Sequence, residues 1–107
     1  MSYSMVSVVI GTYINQAVND ELESMGIEAE DAGFEVLYSG GANIQPGYCG
    51  VEIYSFDECT DALKVSDIKL HPNSNQMAEA TKLFNALDPK VKAVAPPLDV
   101  YFVFHTS

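Results

Sequence analysis

The sequence predicts an α+β domain with two helices packed on one antiparallel sheet. Three observations carry that reading. Runs of β-branched and aromatic residues with apolar alternation occur near both ends of the chain and in its middle. Two other stretches repeat their apolar residues at helical spacing. No internal repeat, low-complexity tract or long linker interrupts the 107 residues, so 1–107 reads as one domain.

The elements follow in order. Residues 5–14, MVSVVIGTYI, predict a strand, with Val6, Val8 and Ile10 sharing one face. Residues 16–32 predict a helix. At 100° per residue, Val18, Leu22, Met25, Ala29 and Ala32 fall within an arc of roughly 80°. The pattern stays in phase across Gly26, which favours one helix over two, and Gly33 supplies its stop. Residues 34–39 and 48–56 predict two further strands, joined by the turn-rich SGGANIQPG. Residues 57–64 suggest a short helix capped by Asp57, and 65–70 a short edge strand. A second long helix is expected over 74–87, capped by Asn73 or Ser74, with Met77, Ala80, Phe84 and Leu87 on its inner face. Pro89 suits the first position of a further helical turn. The last strand, 99–105, is apolar on both faces, which suggests an interior strand or a face covered by a partner.

Strand, helix, strand, strand, helix, strand is the split βαβ order, so the domain resembles ferredoxin-like βαββαβ folds or a variant of them. That resemblance concerns topology alone, since such folds host many functions.

A hydrophobic share of 48% excludes wholesale disorder. No apolar run nears the ~20 residues of a membrane span, and residues 1–7 carry no base, so a cytoplasmic protein is the expectation. The charge is unusual. The net charge is −10, and residues 1–63 hold eleven acids with no Lys or Arg. Residues 64–107 balance four acids against five lysines, and Arg is missing altogether. Such a chain repels nucleic acid and anionic membranes and attracts basic surfaces.

Catalytic signatures are missing. There is no H-E-x-x-H, P-loop, dinucleotide fingerprint, G-x-S-x-G or paired C-x-x-C. Cys49 and Cys59 read as free thiols, and neither their ten-residue spacing nor the positions of His71 and His105 make a thiol–imidazole pair or a zinc knuckle. Asp57, Glu58 and Asp61 cluster without the alternation of a calcium loop. Gly40, Gly41, Gly47 and Gly50 read as turn residues, because the acidic surroundings disfavour an anion cradle. The expectation is therefore no enzyme, no cofactor and no metal.

The acidic helix is the sharpest feature. Asp20, Glu21, Glu23, Glu28, Glu30 and Asp31 place six carboxylates in twelve residues, with no Lys to pair them at i, i+4. In a continuous helix Ile27 would project from the middle of this arc, an aliphatic anchor within an electrostatic rim about 16 Å long. Gly26 could instead kink the helix and turn Ile27 inward. These seven residues are the predicted partner-binding face. The function expected from them is non-catalytic: an inhibitor whose acidic surface docks on a basic, nucleic-acid-binding protein. Phage-encoded counter-defence proteins offer a class analogy for such a nucleic-acid mimic. The alternative is a small-molecule-sensing or regulatory domain, a homodimer formed through the sheet, for which Tyr38, Tyr54, Tyr101 and the doubly apolar last strand argue. A third reading, an enzyme using Asp57, Glu58 or a cysteine, has the least behind it.

Overall fold

A computed structural model describes residues 4–57 and 62–106. The chain forms β1 (Ser4–Tyr13), α1 (Gln16–Met25), β2 (Glu35–Val36), β3 (Gly47–Asp57), α2 (Ser74–Asn85), α3 (Pro89–Val94) and β4 (Asp99–Thr106). The described residues make an α+β fold with three α-helices and a four-stranded sheet in the order β2-β3-β1-β4, every neighbouring pair antiparallel. β1 lies inside the sheet between β3 and β4, and Val6 to Ile10 and Thr12 are all buried on it.

One sheet face carries the helices. Val8 and Ile10 of β1 and Ile53 of β3 pack against Ala80 of α2. Ile14 and Cys49 continue this layer beneath Val18 and Leu22 of α1 and Val91 of α3. Each large aliphatic side chain buried this way contributes roughly 1.5–3 kcal/mol. A β-bulge between Val8 and Val9 leaves Ile53 as the extra residue on β3, so Ile53 and Tyr54 both contribute to this layer.

No helix of the described residues covers the other face, yet Ser7, Val9 and Val103 are buried there. The sheet curls to enclose them. β2 and β4 lie at opposite edges, but the Tyr38 carbonyl just beyond β2 accepts a hydrogen bond from the Thr106 amide of β4 at 2.8 Å. The curl passes through Gly11 and Gly50, which face each other on β1 and β3 with φ near +153°. A Cβ at Gly11 would lie 2.0 Å from the Cys49 carbonyl oxygen, and one at Gly50 2.0 Å from that of Ile10. Only glycine permits this approach.

Several expectations need correction. The helix over 16–32 stops at Met25. Gly26 adopts φ +70°, its amide reaches the Glu23 and Leu22 carbonyls, and the Ile27 amide bonds Leu22, so the chain reverses into turns. The strand over 34–39 shrinks to Glu35–Val36, because Pro46, opposite Leu37, accepts the Leu37 amide but has no N–H to return the bond. Asp57 ends β3 rather than capping a helix, residues 62–64 are not helical, and 58–61, with Glu58, Cys59 and Asp61, lie outside the described residues. Val65–Asp67 is a 3-10 turn where a strand was expected. β4 is an edge strand and not an interior one; Phe102 and Phe104 are exposed on it. A third α-helix joins the two expected ones among the described residues, because Asp88 caps the Lys90 amide and Pro89 opens α3. The expected second helix forms over Ser74–Asn85 with a complete capping box between Asn73 and Gln76.

Gly11→Ala or Gly50→Ala is expected to cost on the order of 3 kcal/mol or more, since backbone atoms must move apart. Gly41→Ala, with φ +83° and open space around it, should cost only ~1–2 kcal/mol. Urea unfolding of the three variants tests this; equal midpoints would mean the sheet does not depend on the Gly–Gly contact.

Candidate functional site

The acidic segment is built from a short helix and the turn that follows it. Asn15 starts α1 by accepting the Val18 amide at 2.9 Å. Val18 and Leu22 then face the core, which leaves Asp20 and Glu23 exposed on the outer side and Glu21 half-buried. After Gly26 the chain turns through residues 27–33, held by the Ala32 amide on Glu28 and the Phe34 amide on Ala29. This turn carries Ile27, Glu28, Glu30 and Asp31, all exposed.

Between that turn and the β2–β3 hairpin lies an open groove of about 690 Å³. Ile14, Leu22, Ala29 and Val36 form its apolar part. Glu23, Glu28 and Glu30 also line it, together with Ile27, which is 37% exposed. Gln45 closes the hairpin side and is fixed there by donating to the Leu37 carbonyl at 2.6 Å. Glu23 accepts a weak bond from Asn19 at 3.3 Å. Among the described residues no cation pairs with these three carboxylates, and residues 1–63 contain no Lys or Arg.

The structure thus gathers four of the seven predicted contacts, Glu23, Ile27, Glu28 and Glu30, around one cavity. Asp20, Glu21 and Asp31 do not line it; Asp20 instead accepts from Gln16 at 2.7 Å. Ile14 and Val36, which help form the apolar part, went unnoticed in the sequence. Their strand pattern marks them as core, and only the hairpin's position relative to α1 makes them line a groove.

Other nucleophilic side chains make contacts within the fold. The Cys49 thiol donates to the Leu83 carbonyl at 3.6 Å, and burial pushes its pKa up, which suppresses the thiolate. Ser7 and His105 form a nucleophile–base pair that the sequence did not suggest, with Oγ and Nε2 2.9 Å apart. Ser7 is only 2% exposed and lines none of the cavities described here, so the contact ties β1 to β4. Gly47 and Gly50 belong to β3, so the four loop glycines do not converge. Among the described residues no three His, Cys, Asp or Glu side chains come together to hold a metal ion. No helix of the described residues is long and apolar enough to cross a membrane.

A smaller cavity of about 330 Å³ lies beside the uncovered sheet face. Tyr13 and Tyr101 meet there edge to face, 4.9 Å between centroids. The Tyr101 hydroxyl donates to the Pro97 carbonyl at 2.6 Å, and burial, then Asp99 and Tyr13, raise its pKa. That hydroxyl is committed to the fold, and the cavity lacks the convergent polar groups that orient a ligand.

In a Cys59→Ser variant, Cys49 is expected to react with a thiol reagent at least tenfold more slowly in the folded than in the urea-unfolded protein, at mildly alkaline pH. Comparable rates in both states would place Cys49 among accessible, reactive thiols. Comparison of the chain with protein-family models, curated proteins and solved structures finds no match.

Proposed function

We propose that this protein is a non-catalytic binding protein that docks its acidic groove onto a basic surface of a partner protein, and that it acts as an inhibitor by covering a nucleic-acid-binding site. The observation that carries the reading is the groove itself: three carboxylates that no cation pairs among the described residues, around aliphatic side chains, in a stretch of 63 residues without Lys or Arg. Apolar contact supplies the affinity of such a site, and the like charges supply steering and selectivity for Lys/Arg-rich surfaces. Nucleic-acid-binding proteins present basic surfaces of this kind. The strand order and the antiparallel pairing support a ferredoxin-like reading of the domain, with β3 inserted between the parallel strands β1 and β2 that α1 connects. Action in the cytoplasm, as in counter-defence against a nucleic-acid-binding complex, accords with this proposal.

A second reading rests on Phe102 and Phe104, 41% and 68% exposed on edge strand β4. Exposed apolar edge strands pair readily with other chains, and the protein is then a regulatory domain that dimerises through its sheet.

Immobilised protein is expected to retain a nucleic-acid-binding protein from the source lysate at low salt and release it at moderate salt. The triple variant Glu23→Gln, Glu28→Gln, Glu30→Gln should lose at least tenfold in affinity for that protein, and free wild-type protein should compete with nucleic acid for it. Equal retention by the triple variant sinks the groove reading. For the second reading, sedimentation should show a concentration-dependent dimer that Phe104→Glu abolishes; a monomer at all concentrations removes it.

A further inference from the structure

The outer edge of β4 is open along its middle, and one contact shuts its end. The Thr106 amide points away from β1, to the Tyr38 carbonyl at 2.8 Å. The Val100 amide also points away from β1, to the Asp99 carboxylate at 2.7 Å. Main-chain groups alternate along a strand, so Phe102 and Phe104, between these two, aim their N–H and C=O groups outward as well. Among the described residues no main-chain partner meets these four groups. The cavity bounded by Pro46 and Gly47 keeps the hairpin stem off them. At Thr106 the situation is reversed. Tyr38 stands where the neighbouring strand of a wider sheet would stand, and the Thr106 hydroxyl accepts a further, long bond from the Gly40 amide at 3.3 Å.

Resting on the sheet-dimer reading above, we infer that the contact of Tyr38 with Thr106 is an autoinhibitory clasp, which blocks antiparallel pairing of β4 with β4 of a second copy and permits it on release. The outward groups belong to the even-numbered residues from Val100 to Thr106, and these are symmetric about Val103. A two-fold axis at Val103 sets Val100 against Thr106 of the second copy, and Phe102 against its Phe104. That register uses every outward group, so it requires the Thr106 amide that Tyr38 holds. Opposed residues share a face. Val8 lies opposite Phe102 and packs with Ala80, so the aromatic pairs form on the side of the sheet that carries α2. Charge favours this occupant over a basic partner. Residues 100–106 hold no Asp, Glu, Lys or Arg, so this stretch has no carboxylate to attract a base, and none to repel a second acidic chain. The clasp is also built to yield. β2 pairs with β3 at two positions only, Glu35 with Tyr48 and Val36 with Gly47. Residues 37–46 form neither helix nor strand, and Tyr38 is 59% exposed. Segments with few buried contacts open at a lower free energy than the core.

The test is sedimentation of the full chain over a range of concentrations, with amide NMR on the same samples. Wild type is expected to dimerise weakly. Thr106→Val removes the hydroxyl but keeps the amide, so it should dimerise about fivefold more tightly, the effect of one lost hydrogen bond in the clasp. Thr106→Ser, which keeps the hydroxyl, should match wild type. In wild type, rising concentration should protect the Phe102 and Phe104 amides from hydrogen exchange and shift the Gly40 amide in step with them. Three proteins that dimerise equally, or a Gly40 amide that stays still while Phe102 and Phe104 become protected, overturn the clasp and leave the sheet dimer standing. A dimer with Phe102 and Phe104 unprotected overturns the clasp as well, because the chains then meet elsewhere. Monomers throughout, in all three proteins, overturn both.

Discussion

The approach of β1 to β3 at Gly11 and Gly50 is the constraint on which the rest of the structure depends. Two long strands that pair over nine positions would stay gently twisted if side chains held them apart at every step. Where both residues lack a Cβ, the backbones close to a distance that any other residue would forbid. The sheet bends there, and the hairpin end swings toward β4 until Tyr38 meets Thr106. Ser7, Val9 and Val103 are sheltered by that curl, with no helix of the described residues over them. The same bend displaces the hairpin stem, so Val36 and Gln45 face the end of α1 across an open gap. The groove is a by-product of how the sheet closes.

Gly26 makes the second contribution, by ending α1 six residues before the last acid of the run, Asp31. A continuous helix would carry Glu28, Glu30 and Asp31 away from Glu23 along one straight face. The left-handed cap brings the chain back on itself, so that Glu28 and Glu30 line the same cavity as Glu23. The carboxylates are gathered by backbone hydrogen bonds, which makes their proximity independent of any counter-charge. Like charges held together without a cation raise the local potential, and that potential is relieved only when a base arrives from outside.

The strands β1, β3 and β4 and the helix α2 were legible because each has a buried face whose period announces it. The end of α1 was not. Met25, Ala29 and Ala32 keep helical phase in the sequence, and all three do pack on the core. They reach it by two different routes, helix and turn, so periodicity reported their burial correctly and their conformation wrongly. The edge position of β4 was hidden for a related reason. Val103 is buried on the curled face while Phe102 and Phe104 lie exposed on the other, and alternation cannot distinguish a covered aromatic from an open one. The acids of the groove were readable from composition. Its apolar part was not, since Ile14 and Val36 acquire that role only from the placement of the hairpin.

The pairing of β1 with β4 has a consequence for how the molecule is made. Val8 sits opposite Phe102, and Ser7 reaches His105 across 98 residues of chain. β1 leaves the ribosome well before β4 and waits for this neighbour while the residues between them are synthesised. During that interval an apolar strand with an unpaired edge is exposed to the other nascent chains around it. The acid-only stretch that follows β1 is translated next, and its unbalanced charge keeps neighbouring chains apart while the strand remains open. Non-local pairing of this kind also slows folding, because the loop must close before the contact rewards it. The charge that distinguishes this protein therefore has work to do before there is any folded surface to present.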